Sequence, residues 1–287
     1  MKLSGTYTWF GYLEPFEDKL RAIRDAGFKT ICTFWTPEME DSDGPRASQQ
    51  ETADRYGLYL EHAHLGYYRA NLLWEDTMDG SSVREGYIED IRLAAKGDVN
   101  TLVIHPCEIY PPDMNRYDIF RDNMKRISDV CADTGVRLAV ENLGENTTVR
   151  KIINDLKDNP NVGLCFDSGH NNVAAGDYFD LLDEFRDRIF ATHIHDNNGI
   201  KDLHLLPYHE GCCLNWKHFI DAADKTGFEG SLMLEACYPL DYDKFTGEND
   251  EEWAVPPYPM EEWLKEAKTA CDRIYSERNA LLSGDCK

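Results

Sequence analysis

"RLAVENLGENTTVRKIINDLKDNPNVGLCFDSGH" (residues 137–170) sets two short apolar runs on either side of one amphipathic stretch. Leu138 to Val140 and Val162 to Phe166 are continuous apolar runs of strand length, which marks strands covered on both faces. The segment between them carries apolar residues at helical spacing. Each run ends in an acid, Glu141 and Asp167. A carboxylate at the end of a buried run has to be paired, metal-bound or catalytic, because burying it alone is too costly.

Working outward, the same alternation extends over the chain. The strand-like pieces are "KLSGTYTWF", "KTICTFW", "LYLEHAH", "TLVIHP", "RLAVENL", "VGLCFDSGH", "IFATHIHD" and "SLMLEAC". Helix-like stretches separate them, several closing on Gly just before the next strand, and "MEEWLKEAKTACDRIYSERNALL" ends the series. Eight strand–helix repeats in 287 residues predict an α/β fold, a (β/α)8 TIM barrel, as a single domain spanning 1–287. A doubly wound open sheet is the alternative. It would carry a glycine-rich phosphate turn after the first strand, and "GTYTWFGYLEP" is not one.

Composition narrows the partners. Thirty Lys and Arg against 53 Asp and Glu leave a net charge of −23. Such a surface repels polyanions, so nucleic acid and anionic membranes are disfavoured and a small molecule is favoured. No stretch has the makings of a signal peptide or a membrane span, which predicts a cytoplasmic protein. Nine cysteines without CxxC spacing suit a reducing compartment, and the adjacent Cys212 and Cys213 read as loop residues. The "ENDEE" run at 248–252 reads as a solvated loop. A homo-oligomer is compatible with the sequence without being marked in it.

In a barrel of this kind chemistry gathers at the C-terminal strand ends. Those ends carry His64, His105, Glu141, Asp167 with His170, His195 and Glu235. Each is a metal-ligand type, and a run of consecutive strands ending this way is hard to explain as hydrogen-bonded structure. "FDSGH" turns through Ser168 and Gly169, which can return His170 toward Asp167. In "KDLH", Asp202 and His204 are two apart, so an extended loop would aim both the same way. His195 and His64 lie nearer the rim than His193 and His62, which are assigned to the core or to supporting roles. Trp9, Phe34, Trp35, Tyr67, Trp74 and Trp253 could present aromatic faces to a sugar, against a default of packing.

The pieces "VENL", "FDSGH", "HIHDN", "DLHLLPYHEG" running to "NW", "LEAC" and "HLGYYRANLLW" resemble the xylose isomerase-like barrel superfamily. It holds sugar-phosphate isomerases and epimerases, inosose dehydratases and endonuclease IV. The resemblance implies a metal site of Glu141, Asp167, His195 and Glu235. It also implies additional ligands at His64, His105, His170, Asp202 and His204, as in the three-zinc members. Asn215 stands where the family commonly has Asp before Trp.

The expected activity is that of a divalent-metal-dependent (zinc or manganese, one to three ions) isomerase or epimerase acting on a sugar or sugar phosphate. Glu141 and Glu235 would move the proton next to a carbonyl from opposite sides. The competing readings are a metal-dependent lyase or dehydratase of the inosose type, an endonuclease IV-like phosphodiesterase, and a noncatalytic barrel holding structural metal. Asn142 is expected to support Glu141.

Overall fold

The computed structural model describes residues 3–8, 14–236 and 259–283. In chain order the elements are β1 (Ser4–Tyr7), α1 (Phe16–Ala26), β2 (Thr30–Trp35), α2 (Glu40–Asp43), α3 (Gln49–Arg55), β3 (Tyr59–Leu65), α4 (Met78–Lys96), β4 (Thr101–Ile104) and α5 (Tyr117–Thr134). They continue with β5 (Arg137–Glu141), α6 (Thr147–Asp155), β6 (Val162–Asp167), α7 (Ser168–Ala175), α8 (Asp180–Glu184), β7 (Ile189–His193), α9 (Trp216–Thr226), β8 (Leu232–Leu234) and α10 (Met260–Ser283).

All eight strands are parallel neighbours in the order β7-β6-β5-β4-β3-β2-β1-β8. A parallel bridge between Ile194 and Leu234 joins the two ends of that series, with Ile194 N–H donating to Met233 O at 2.8 Å and Glu235 N–H to Ile194 O at 3.1 Å. The result is the expected (β/α)8 barrel.

The strands are buried on both faces because helices cover the outside and side chains fill the inside. Between sheet and helices the bulk is aromatic: Trp35, Trp74, Trp263, Phe28, Phe120, Phe166 and Phe219 are fully buried. Trp74 stacks on Phe120 with centroids 4.4 Å apart and donates its indole N–H to Pro106 O at 2.8 Å. Trp35 and Trp74 therefore pack the fold. Gly27, Gly135 and Gly227 close α1, α5 and α9 in the left-handed conformation. At Gly27, φ of 96° lets its N–H cap the carbonyls of Ile23 and Arg24, a geometry that a Cβ would oppose.

The connection from β2 to β3 contains two short helices, α2 and α3. Lys19 of α1 pairs with Asp43 of α2 at 2.6 Å, both fully buried. Arg46 bonds Glu40 at 2.9 Å and Asp90 of α4 at 2.5 Å, which clips this segment to the outer helices. Trp9, Trp253 and the 248–252 run lie outside the described residues.

A candidate metal-binding site at the strand ends

The C-terminal strand ends gather the expected side chains around one cavity of about 460 Å³. Its wall includes His64, His105, His170, Asp202, His204 and Glu235, with Tyr7, Phe34, Tyr67 and Tyr110 supplying aromatic surface. Among the described residues that line it there is no Lys or Arg.

Glu141, the last residue of β5, is fully buried at the centre of the set. Its Oε2 lies 3.2 Å from His64 Nε2, 3.3 Å from His105 Nε2 and 3.2 Å from His193 Nδ1, while Oε1 lies 3.3 Å from His170 Nδ1. Burial would push its carboxyl up, but the imidazoles of His193 and His105 outweigh that and hold it well below the usual carboxylate range. Glu235 follows β8 and places Oε2 3.0 Å from the same His193 nitrogen. It too is held down, with His193 outweighing its burial.

Asp167 ends β6 and is also the N-cap of α7, its carboxylate accepting the His170 N–H at 2.6 Å. "FDSGH" thus starts a helix at Ser168, where the sequence suggested a turn. The first helical turn brings His170 to the rim. Gly169 is required by close approach: a Cβ there would sit 1.9 Å from the His195 ring. That ring sets Nε2 3.0 and 3.1 Å from the two oxygens of Asp167 and stacks on His204 with centroids 4.0 Å apart.

After β7, Asp196 and Leu205 exchange both backbone hydrogen bonds, folding the intervening loop back over the rim. This carries Asp202 and His204 to the site, their Oδ2 and Nε2 2.9 Å apart. The loop is not extended at His204, whose φ of 46° lies in the left-handed region that favours glycine. Asn142 supports Asp167 and His170, where Glu141 was expected. It accepts the Asp167 N–H at 2.8 Å, donates to Asp167 O at 3.0 Å, and its own carbonyl takes the His170 Nδ1–H at 3.0 Å.

Donor chemistry tests whether a cation fits. His64, His170 and His204 each place Nδ1 against a backbone carbonyl: Leu65 O at 2.7 Å, Asn142 O at 3.0 Å and Glu235 O at 2.9 Å. A carbonyl only accepts, so Nδ1 carries the hydrogen, and Nε2 either carries a second proton or offers a lone pair to a cation. Those Nε2 atoms face carboxylate oxygens, Glu141 Oε2 for His64 and Asp202 Oδ2 for both others. Such contacts require positive charge, from the second ring proton or from a bound cation that replaces it.

Glu141 Oε1, Glu235 Oε2, His105 Nδ1 and His195 Nδ1 are buried without a hydrogen-bond partner among the described residues. His64, His105 and Glu141 form one set whose donor atoms lie within 4.8 Å of each other, and His170, His195, Asp202 and His204 form another. This arrangement fits divalent metal better than an ordinary polar cluster.

One site residue, Tyr7, went unread, and His193 was given only a core or supporting role. His193 touches both glutamates, and its Nε2 meets the Tyr7 hydroxyl at 3.2 Å. The "HIH" spacing flagged His193, but only the pairing of β7 with β8 sets it between the acids. Tyr7 carried no signal, being one aromatic in an aromatic strand. Asn215 caps α9, accepting the His218 N–H at 3.2 Å, so the substitution for Asp keeps the cap. Cys212 and Cys213 are free thiols, the second exposed.

A family model described as xylose isomerase-like TIM barrel matches residues 20–267. The uncharacterized protein y4fM of Sinorhizobium fredii is 31% identical over 264 residues, covering 80% of this chain and 83% of its own. Among solved structures, D-psicose 3-epimerase with D-tagatose from Clostridium cellulolyticum H10 superposes with a TM-score of 0.76 at 16% identity, covering 96% of this chain and 99% of that one. An L-ribulose 3-epimerase gives a TM-score of 0.77 at 15% identity, covering 100% and 99%.

Proposed function

The chain belongs to the xylose isomerase-like TIM barrel family, and from its site geometry we propose that it is a divalent-metal-dependent isomerase or epimerase of a sugar or sugar phosphate. The observation that carries this reading is the convergence of Glu141 and Glu235, both ionised, on one nitrogen of His193 beside a cavity whose wall is aromatic and acidic. The solved 3-epimerases of the same fold are consistent with it.

Glu141, Asp167, His195 and Glu235 would hold one metal, with His64, His105, His170, Asp202 and His204 available for further ions. When bound, such an ion polarises a carbonyl and lowers the acidity barrier of the adjacent C–H by several kcal/mol. The chain's own part is positioning and proton movement. One glutamate takes the C–H proton and the other returns it: return to the opposite face of the same carbon gives the epimer, and return to the former carbonyl carbon gives the isomer. His193, in contact with both acids, keeps their separation fixed. Tyr7, Phe34 and Tyr67 offer apolar faces to sugar C–H surfaces and exclude water from the reacting carbon.

The test is hydrogen exchange from deuterated water into a panel of ketoses and aldoses. We expect exchange by the metal-loaded protein, reduced by about 10²–10⁴-fold in Glu141→Gln and in Glu235→Gln. No exchange across the panel with metal bound refutes the reading.

A second reading, multi-metal phosphoester hydrolysis, is favoured by one observation: the ligands form more than one set, some of them sharing residues. Cleavage of an abasic duplex by the fully metal-loaded protein would establish it. The absence of Lys and Arg from the described part of the cavity wall and the charge of −23 weigh against a DNA substrate.

A further inference from the structure

Inside the barrel lies a set of donors of which the chemistry above uses only His193. Cys32 on β2 and His62 on β3 are paired in register, and His193 reaches the same space from β7. All three are fully buried, and one ligand atom from each lies within 4.8 Å of the other two. Barrel interiors are ordinarily filled by branched aliphatic side chains, so two imidazoles and a thiol at this position call for a reason.

His62 sharpens the question. Both of its ring nitrogens are buried, and neither has a hydrogen-bond partner among the described residues. Buried polar groups are almost always satisfied, and an exception commonly marks a water or an ion. Met233 of β8 packs in one cluster with Cys32 and Tyr7, adding a thioether to the neighbourhood.

We propose that Cys32, His62 and His193 form a buried site for a soft, thiophilic cation, copper(I) in preference to zinc. Two imidazole nitrogens and one thiolate form a three-donor set that suits soft copper, whereas zinc asks for four firm ligands. Hard cations are disfavoured because this set of three contains no oxygen donor. On loading, the sulfur–copper bond replaces the S–H bond, the proton leaves to solvent, and no electron is transferred. A cation here also fixes the His193 ring, which stands between Glu141 and Glu235.

The site can be read without any sugar substrate. The full chain, carrying Cys212→Ser and Cys213→Ser to remove the vicinal pair, is loaded anaerobically with one equivalent of copper(I) and examined by copper X-ray absorption. The expected spectrum has one sulfur and two imidazole neighbours. Cys165, which groups with Glu141 and His193, is the other thiol within reach, so its substitution separates the two locations.

Cys32→Ser is expected to lose the sulfur and His62→Leu to lose one imidazole, while Cys165→Ser keeps both. Circular dichroism verifies that each variant is folded, and the parent spectrum decides alone if a variant is not. A nitrogen and oxygen shell only, or sulfur that persists in Cys32→Ser, overturns the proposal. So does failure to take up copper with a water found on His62.

Discussion

Glu141 is ionised without solvent: it is fully buried, and imidazoles substitute for the water it has lost. The same economy governs Asp167, whose single carboxylate caps α7 and faces His195. Gly169 is where this arrangement is most exposed to mutation. Adding a methyl in Gly169→Ala drives the His195 ring off Asp167, since the new atom would overlap that ring at 1.9 Å. Metal affinity is expected to fall about 10–100-fold, the usual effect of displacing a ligand's support. A titration with manganese or zinc that gives an unchanged isotherm would contradict the assignment of His195. The strand-end acids and histidines were legible because a charge ending an apolar run violates the burial rule. Asn142's true partners were not, since its bonds cross from β5 to β6 and depend on register.

Among the elements, the long helices were readable from their periodicity and glycine stops, while α2 and α3 were too short to leave a period. The helix α7 was missed for a related reason: "DSGH" has turn composition, and the Asp167 cap that overrides it is visible only in three dimensions. The segment around α2 is held through Arg46, which lies between Glu40 and Asp90 and over the Trp35 ring. Burial pushes the Asp90 carboxyl up to about 6 despite the guanidinium beside it. A carboxyl raised on folding contributes stability that is present below its ordinary value of 3.8 and is lost as the pH rises through 6. Relative to Asp90→Asn, the native chain is therefore expected to lose on the order of 3 kcal/mol between these limits. Urea melts of both proteins at acidic and neutral pH measure that difference, and parallel pH profiles would contradict it.

At the scale of the molecule, the parallel barrel was legible because alternation of apolar runs and amphipathic stretches admits few closed topologies. The cavity was less so. Glu108, Ile109 and Tyr110 line it from an irregular stretch with no periodicity to announce them. No helix among the described residues is long and apolar enough to cross a membrane. The net charge of −23 makes the folded chain repel itself, and mobile ions screen that repulsion. Thermal melting is thus expected to move upward as monovalent salt is raised from low millimolar concentrations, and a flat response would show the charges to be locally balanced.

The central claim is that metal held by the strand-end histidines and carboxylates makes this barrel a sugar isomerase or epimerase. Its most direct measurement is solvent hydrogen exchange into a responsive sugar before chelation, after chelation, and after return of manganese or zinc. Exchange should disappear with the metal and return with it. Full exchange by the metal-free protein would contradict the account.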